Sequence, residues 1–246
     1  MVQDAIWRSP LAVRMGRQLA LTRQEAEFLD ALPTEQVSVR PGAEILAADE
    51  RCRWLFLMLD GWSCRQKLLE DGRRQIVHFF LAGDMIGAHD LFRRRTAGAV
   101  TALSAASLAR IEERSVKEMR QRFPRLAGLL FRAAAREHAI LLEHAVRLGR
   151  HSAYERGVHL LLEFSDRLRT AGLPGDDYRL PLTQEELADS LGLSLVHMNR
   201  TLQRLRREAL IRLTSQRVTL LDRERLVDIA GYSPAYLDDT SPDSGG

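Results

Sequence analysis

The spacing of apolar and polar positions changes twice along the chain. Residues 22–32 predict a short helix, because Thr22 and Glu25 have the spacing of a capping box. Over residues 37–111, short apolar runs alternate with glycine-containing turns, as in consecutive β-strands. From Ser115 onward helix-forming residues dominate. The pattern predicts an α+β protein in which a β-sandwich or β-roll precedes a helical half.

The predicted strands of the β-roll are short and mostly continuous in their apolar character. Turn signals at 41–42, 60–61, 71–72 and 82–84 separate them. In chain order the runs are EILAA, WLFLML, WSCRQKLL, QIVHFF and the long AVTALSAASLARI.

A long helix is predicted to follow the β-roll. A first helix, from Ser115, breaks before Pro124. Residues 124–149 then read as one helix of about seven turns, with an apolar stripe that Glu137 and His138 interrupt. Such a stripe needs a partner, and we expect a second copy of the chain; docking on the β-roll is the alternative. The expected dimer-interface residues are Leu126, Leu130, Ala133, Leu141, Ala145 and Leu148.

Beyond a predicted hinge at 149–152 and a helix at 152–170, capping signals indicate two closely spaced helices. Thr183 and Glu186 form another capping box, and Gly192 suits the positive φ at the end of a helix. Ser194 can cap the next helix only two residues later. A helix, a short turn at a glycine and a second helix together predict a helix-turn-helix motif.

The second of these helices has one apolar face, with Met198, Leu202 and Leu205. Its other face carries hydrogen-bonding groups suited to base edges and phosphates of double-stranded DNA: Ser194, His197, Asn199, Arg200, Gln203 and Arg204. Residues 194–217 contain six arginines and one acidic residue, which gives a local net charge of +5 in a chain whose net charge is +3. A merely solvated charged face is the alternative. ALIRL, a TSQ turn and RVTLL then predict a hairpin, or wing, with Arg217 placed to contact the DNA backbone.

Composition narrows the class of protein. The 246 residues suit one large domain or two ordinary ones, and two cysteines suit a reducing cytoplasm. We find no secretory signal and no membrane span in the sequence. No nucleophile–base set, metal-ligand spacing or phosphate loop is present, so we expect no enzyme.

Over roughly residues 20–232, the chain resembles the Crp–Fnr family of bacterial transcription regulators. The resemblance rests on RPGAEIL and LDGWSCRQKLLEDGRRQIVHFFLAGDMIGAHDLF in the first half, and on TQEELADSLGLSLVHMNRTLQRLRREALI in the second. It implies a cyclic-nucleotide-binding fold as sensor, which is a β-roll of the jelly-roll or double-stranded β-helix type. It also implies a homodimer on a palindromic operator, and RNA polymerase as a further partner. By position, it places Thr183, Gln184, Ser194, His197 and Arg200 at DNA contacts, and Leu195, Val196 and Asn199 at positions of base preference. Because Leu195 and Val196 differ from the Arg–Glu or Val–Glu pairs of the best-known members, the operator should also differ.

The sensor half departs from the cyclic-AMP-binding pattern of the family. Ala88 follows Gly87 where the ribose-binding Glu stands, and Thr96–Ala97 replaces the phosphate-binding Arg–Ser. Leu141 and Leu142 replace hydroxyl residues that meet the base. We expect no cyclic-AMP binding in the usual mode. An anion site near Arg93, Arg94 and Arg95 is the alternative to a solvated loop, in a degenerate pocket formed by Gly87, Ala88, Arg95, Thr96, Ala97 and Leu141.

Cofactor chemistry is also constrained. Cys52 and Cys64 are too few for an iron–sulfur cluster. Haem would need an axial histidine such as His78, His89, His138 or His144. The two cysteines could have a redox role. We interpret these histidines and both cysteines as structural residues. The expectation is no cofactor and no metal site.

These observations give four segments: 1–114 as the sensor, 115–151 as linker and dimerisation helix, 152–236 as the DNA-binding domain and 237–246 as a disordered tail. A regulatory module that responds to a ligand or to redox state and works mainly through protein partners is the alternative function. The arginines of the second helix disfavour it.

Overall fold

Two four-stranded antiparallel sheets form the N-terminal roll of the computed structural model, which describes residues 9–93 and 95–237. The first sheet has the order β1–β8–β3–β6 and the second β2–β7–β4–β5. The strands are β1 (Thr34–Val39), β2 (Glu44–Leu46), β3 (Trp54–Asp60), β4 (Ser63–Leu68), β5 (Arg74–Phe80), β6 (Met85–Ile86), β7 (Ala99–Ala102) and β8 (Ala106–Glu112).

The continuous apolar run of β3 has a structural reason. Leu55 and Leu57 pack beneath the helices, whereas Phe56 and Met58 lie in the core of the roll itself. Successive side chains of a strand point to opposite faces, so a strand covered on both faces is apolar throughout.

The long run AVTALSAASLARI is two strands rather than one. The chain turns at residues 103–105 around Trp62, whose carbonyl accepts hydrogen bonds from the amides of Leu103 (2.8 Å) and Ser104 (3.3 Å). The Ser104 hydroxyl accepts a hydrogen bond from the Trp62 amide at 3.0 Å. The apolar run alone did not show this turn.

Four helices pack together against one side of the roll: α1 (Pro10–Gly16), α2 (Arg23–Ala31), α3 (Glu113–Arg122) and the first half of α4 (Pro124–Arg150). The predicted capping box of Thr22 and Glu25 is present at α2. The sequence did not predict helix α1 or the part of strand β1 that precedes Val37. α4 ends at the predicted hinge, and Ser152 caps α5 (Ala153–Thr170) through a further capping box.

The C-terminal half consists of α6 (Gln184–Leu191), α7 (Leu195–Arg207), α8 (Arg223–Ala230) and a three-stranded antiparallel sheet. That sheet has the order β10–β11–β9, with β10 (Ile211–Thr214), β11 (Arg217–Leu220) and β9 (Asp177–Arg179). Strand β9 was not predicted. The described chain closes with a 3-10 helix, Pro234–Leu237, so the rest of the predicted tail lies outside the described residues. The four-segment division stays a prediction.

Candidate nucleic-acid interface

Local capping sets the geometry of the two helices. The Thr183 hydroxyl accepts the Glu186 amide at 3.1 Å, and the Thr183 amide donates to the Glu186 carboxylate at 2.7 Å. Gly192 ends α6 at φ +61, and the Ser194 hydroxyl then accepts the His197 amide at 3.3 Å. Because these bonds span only three residues each, the sequence is sufficient to specify the turn between the helices.

Helix α7 has two distinct faces. Met198, Thr201, Leu202 and Leu205 are buried against the domain. The opposite face carries a stripe of exposed side chains at helical spacing, which we call the outward stripe: Val196, Arg200, Gln203 and Arg207. Within the described chain, Arg200 and Arg207 make no ion pair. The sequence prediction omitted Arg207, although the i, i+4, i+7, i+11 spacing from Val196 was available to find it.

Each predicted DNA-contacting residue is at least partly exposed. Two of them touch: the Asn199 side-chain amide donates to the Gln184 carbonyl oxygen at 2.9 Å. Gln184 is the first residue of α6 and Asn199 the fifth of α7, so this bond joins the first turn of α6 to the second turn of α7. It restricts the rotation of the Asn199 amide beside the outward stripe.

Arg204 is held by its own chain. Its guanidinium donates to the Glu208 carboxylate at 2.7 Å and lies 3.9 Å from the centre of the Tyr154 ring. The Tyr154 hydroxyl donates to the same carboxylate at 2.6 Å. Burial and Glu208 raise the pKa of Tyr154 to about 12. These contacts fix the end of α7 on α5, so Arg204 contributes less free charge than the sequence suggested.

The predicted wing is present as the β10–β11 hairpin. Its two-residue turn, Ser215–Gln216, has positive φ at both positions (46 and 63). Such a turn matches the twist of paired strands. Arg217, the first residue of β11, is paired with Asp177 of β9 at 2.7 Å. It lies next to the turn, as predicted, but its charge is offset by that carboxylate.

The residues of the predicted effector pocket divide between buried and exposed positions of the chain. Gly87 has φ +90, and a side chain there would meet the Trp54 carbonyl at 2.6 Å. Ala88 is buried in the helical core. The Thr96 hydroxyl donates to the Ala47 carbonyl, and Arg95 donates to the Asp49 carbonyl at 2.6 Å. Arg94 lies outside the described residues, and Leu141 is exposed on α4.

A buried carboxylate, that of Asp90, accepts hydrogen bonds from the donor groups next to these residues. Asp90 accepts the Ala97 amide at 3.0 Å and two hydrogen bonds from Arg65, at 2.6 and 3.3 Å. Arg65 also donates to Glu137 of α4 at 2.9 Å. Asp90 and Arg65 are almost fully buried. The main anion-binding groups of this region are therefore satisfied by side chains of the protein.

Neither cysteine is an activated thiol. Both are buried, and burial raises the pKa of Cys52 and brings that of Cys64 to about 12. A reactive thiol needs the opposite shift. Among residues 9–93 and 95–237, no group of three His, Cys, Asp or Glu side chains has an arrangement suited to a metal ion.

The predicted dimer-interface residues divide between two sides of α4. Leu126 and Leu130 are buried among the helices that cover the chain's own roll, so their assignment to a dimer contact is corrected. Ala133 packs at the edge of the same core. Leu141 and Ala145 are exposed, and Leu148 is partly buried. The periodicity found the stripe but could not show which side the chain covers itself.

Another set of apolar side chains remains uncovered on α4. We call it the α4 face; its large members are Phe131, Leu141, Leu142 and Val146, exposed by 69%, 42%, 57% and 50%. Of these the sequence prediction included only Leu141. In the part of the chain that the structure describes, no helix is long and apolar enough to cross a bilayer.

Comparison with known proteins matches both halves of the chain. Residues 36–123 match the cyclic nucleotide-binding domain, and residues 155–229 the Crp-like helix-turn-helix domain. The nitrogen fixation regulation protein FixK of Bradyrhizobium diazoefficiens is 31% identical over 202 residues, which cover 79% of this chain and 81% of that protein. FixK of Azorhizobium caulinodans is 32% identical over 203 residues, covering 82% and 81%.

A solved structure shows the same fold. That of FixK2 from Bradyrhizobium japonicum has a TM-score of 0.76 and 28% identity, covering 82% of this chain and 100% of the other. The two domain matches, in this order, and relatives at this identity over most of their length show that the chain belongs to the Crp–Fnr family of DNA-binding transcription regulators.

Proposed function

We propose that two copies of the chain pair through the α4 face and insert their α7 helices into successive major grooves of a palindromic operator. The observation that carries the proposal is the outward stripe, which joins hydrogen-bonding and cationic side chains at helical spacing without partners in the described chain. A recognition helix reads base edges from this kind of face, and free arginines bind guanine or phosphate.

Within this proposal the predicted residues have separate roles. Ser194 and Thr183 lie at helix N-termini, where backbone amides favour phosphate. Arg200, Asn199 and Gln203 face the bases. Arg204 and Arg217 act mainly by holding α7 and the wing in place, because both are paired within the chain. His197 and Leu195 flank the contact surface.

The α4 face supports the homodimer. Four large apolar side chains on one helix are more than scattered surface residues, and contiguous apolar patches mark interaction sites. A second copy offers the same patch, so a twofold contact is self-complementary. DNA as the partner and two buried free thiols support a cytoplasmic location. Contact with RNA polymerase follows from the family and stays a prediction; no catalytic activity is assigned.

The sensor half is proposed not to bind cyclic AMP in the usual mode. Ala88 offers no carboxylate to a ribose, and Arg65 is already paired with Asp90 and Glu137. Calorimetric titration of the full chain with cyclic AMP should give no heat of binding. Saturable binding at micromolar concentration would contradict this part of the proposal.

The DNA-binding role is tested by titrating the full chain into duplexes selected from a random pool, over a range of salt concentrations. Arg200→Ala should weaken binding by about 1–3 kcal/mol if Arg200 reads a base, or lower the salt slope by about one if it binds a phosphate. Arg40, an exposed arginine between β1 and β2, provides the matched control in Arg40→Ala. Equal affinity of the wild type for all duplexes, without salt dependence, would refute the proposal.

A further inference from the structure

An exposed apolar side chain, Val196, begins the outward stripe at the N-terminal end of α7. Val196 is 59% exposed, and at about 100° per residue it points away from the buried Met198 and Leu205. Arg200 and Gln203 lie on the same face, one and two turns further along the helix. A solvated helix face has no need of valine at this place, whereas a helix that meets an apolar group has.

The neighbouring Leu195 is not equivalent. It is 52% exposed, but it lies about a quarter-turn from Val196, toward the flank of the helix. The bond between Asn199 and Gln184 marks that flank as the side next to α6. Val196 is therefore the apolar side chain directed most squarely outward from α7.

The major groove presents one apolar group. Guanine, adenine and cytosine show hydrogen-bond donors and acceptors there, and thymine adds the C5-methyl group to its O4 acceptor. Valine can neither donate nor accept, so a cytosine amino group or a guanine edge opposite it would lose its bonds to water without replacement. A thymine methyl instead gains an apolar contact.

We propose that Val196 reads the C5-methyl group of one thymine in each half-site, so that the operator carries an A·T pair where Val196 meets it. The inference rests on the proposed function, because it requires α7 to enter the major groove. It assigns a specificity role to a side chain whose only means of recognition is shape and exclusion of water.

The test removes the methyl group alone. A half-site is first selected from random duplexes, and each thymine is then replaced in turn by deoxyuridine. Replacement in one half-site should weaken binding by the wild type about fourfold, the effect of one buried methyl group, and replacement in both half-sites about sixteenfold. Val196→Ala should bind the thymine and deoxyuridine duplexes equally at that position. The inference would be overturned if Val196→Ala kept the wild-type ratio of affinities for thymine and deoxyuridine duplexes at every position. It would also be overturned if the selected half-site contained only G·C pairs.

A reciprocal variant sharpens the test. Val196→Glu places a carboxylate where the cytosine amino group can donate to it, so preference at the same position should move from thymine to cytosine. Leu195→Ala should leave the methyl effect at that position intact. Leu68→Ala, which alters a residue 74% exposed at the end of β4, should leave the whole thymine-to-deoxyuridine profile unchanged.

Failure of the proposed function and failure of thymine recognition by Val196 give different results. If the wild type does not discriminate between duplexes and Arg200→Ala has no effect, the proposed function fails. If binding is selective and depends on Arg200, but no methyl effect depends on Val196, only the reading of thymine fails. Thermal melting of each variant verifies that it is folded.

Discussion

Arg167 of α5 donates a hydrogen bond to Asp84, in the turn between β5 and β6, at 2.6 Å. The same guanidinium donates to the Phe79 carbonyl at 2.5 Å and to Glu163 at 3.3 Å, and Arg147 of α4 donates to Glu163 at 2.7 Å. The network thus joins the roll, the long helix and the first helix of the DNA-binding half. Arg147, Glu163 and Arg167 are at most 2% exposed, so their charges depend on one another.

Arg167→Ala should lower the free energy of unfolding by about 3–5 kcal/mol, the usual cost of leaving a buried charge without its partner. Denaturant titration of the full chain measures it. Arg169→Ala, two residues along the same helix, removes an arginine that is 40% exposed and should cost about 1 kcal/mol or less. A loss below 1 kcal/mol for Arg167→Ala would show that the network contributes little to stability.

Acid sensitivity should arise at a buried histidine. Burial, and then the charge of Arg147, lower the pKa of His144 from 6.5 to about 4, against the opposing effect of Glu163. The unfolded chain therefore binds a proton between pH 6.5 and 4 that the folded chain does not, and stability falls as pH falls through this window. The loss should be on the order of 3 kcal/mol by pH 4.

Denaturant titrations at pH 7.5 and pH 5 measure this dependence. His144→Gln removes this titrating group and should show a smaller difference between the two pH values than the wild type, while His159, whose pKa burial also lowers to about 4, keeps its own contribution. His138, exposed on the same helix, gives the control His138→Gln, which should keep the full dependence. If His144→Gln retained it as well, the acid sensitivity would have to come from other groups.

Features encoded by neighbouring residues were predictable from the sequence. The capping boxes at Thr22, Ser152 and Thr183 form within three residues, and Gly192 ends α6 because its φ is positive. Ser152 was predicted only as the beginning of a helix, without its cap. The helix-turn-helix and the wing followed from the same short-range signals.

Features that depend on distant partners were missed. Arg167 and Asp84 are 83 residues apart, and no local pattern links them. Strand β9 has three residues and pairs with β11 some forty residues later, as Arg179 does with Arg217. Periodicity placed an apolar stripe on α4, yet only the packing of the roll shows that Leu126 is covered and Leu142 is not.

The bond between Asn199 and Gln184 should make their effects on DNA affinity non-additive. If Gln184 positions the Asn199 amide, then Gln184→Ala should weaken binding in the wild type but add little in Asn199→Ala. A double-mutant cycle with the selected duplex measures the coupling, which we expect at about 0.5–3 kcal/mol.

Gln203 provides the control cycle. It is exposed on the outward stripe and lies two turns beyond Val196, so Gln184→Ala and Gln203→Ala should be additive to within about 0.5 kcal/mol. Additivity in the Asn199 cycle as well would mean that the two amides act independently and that the bond does not persist on DNA.

The α4 face gives a prediction about assembly. Leu142→Glu should convert the dimer into a monomer, because a twofold contact would bury the introduced charge on both copies. An uncompensated buried charge costs about 3–5 kcal/mol, so the dimer dissociation constant should rise on the order of 100-fold or more. Light scattering during size-exclusion chromatography measures the mass, and operator affinity should fall with it, since a monomer contacts only one half-site.

Leu68→Glu, at a residue 74% exposed on the roll, introduces the same charge away from this face and should leave the dimer intact. A Leu142→Glu protein that stayed dimeric and kept full affinity would place the subunit contact elsewhere.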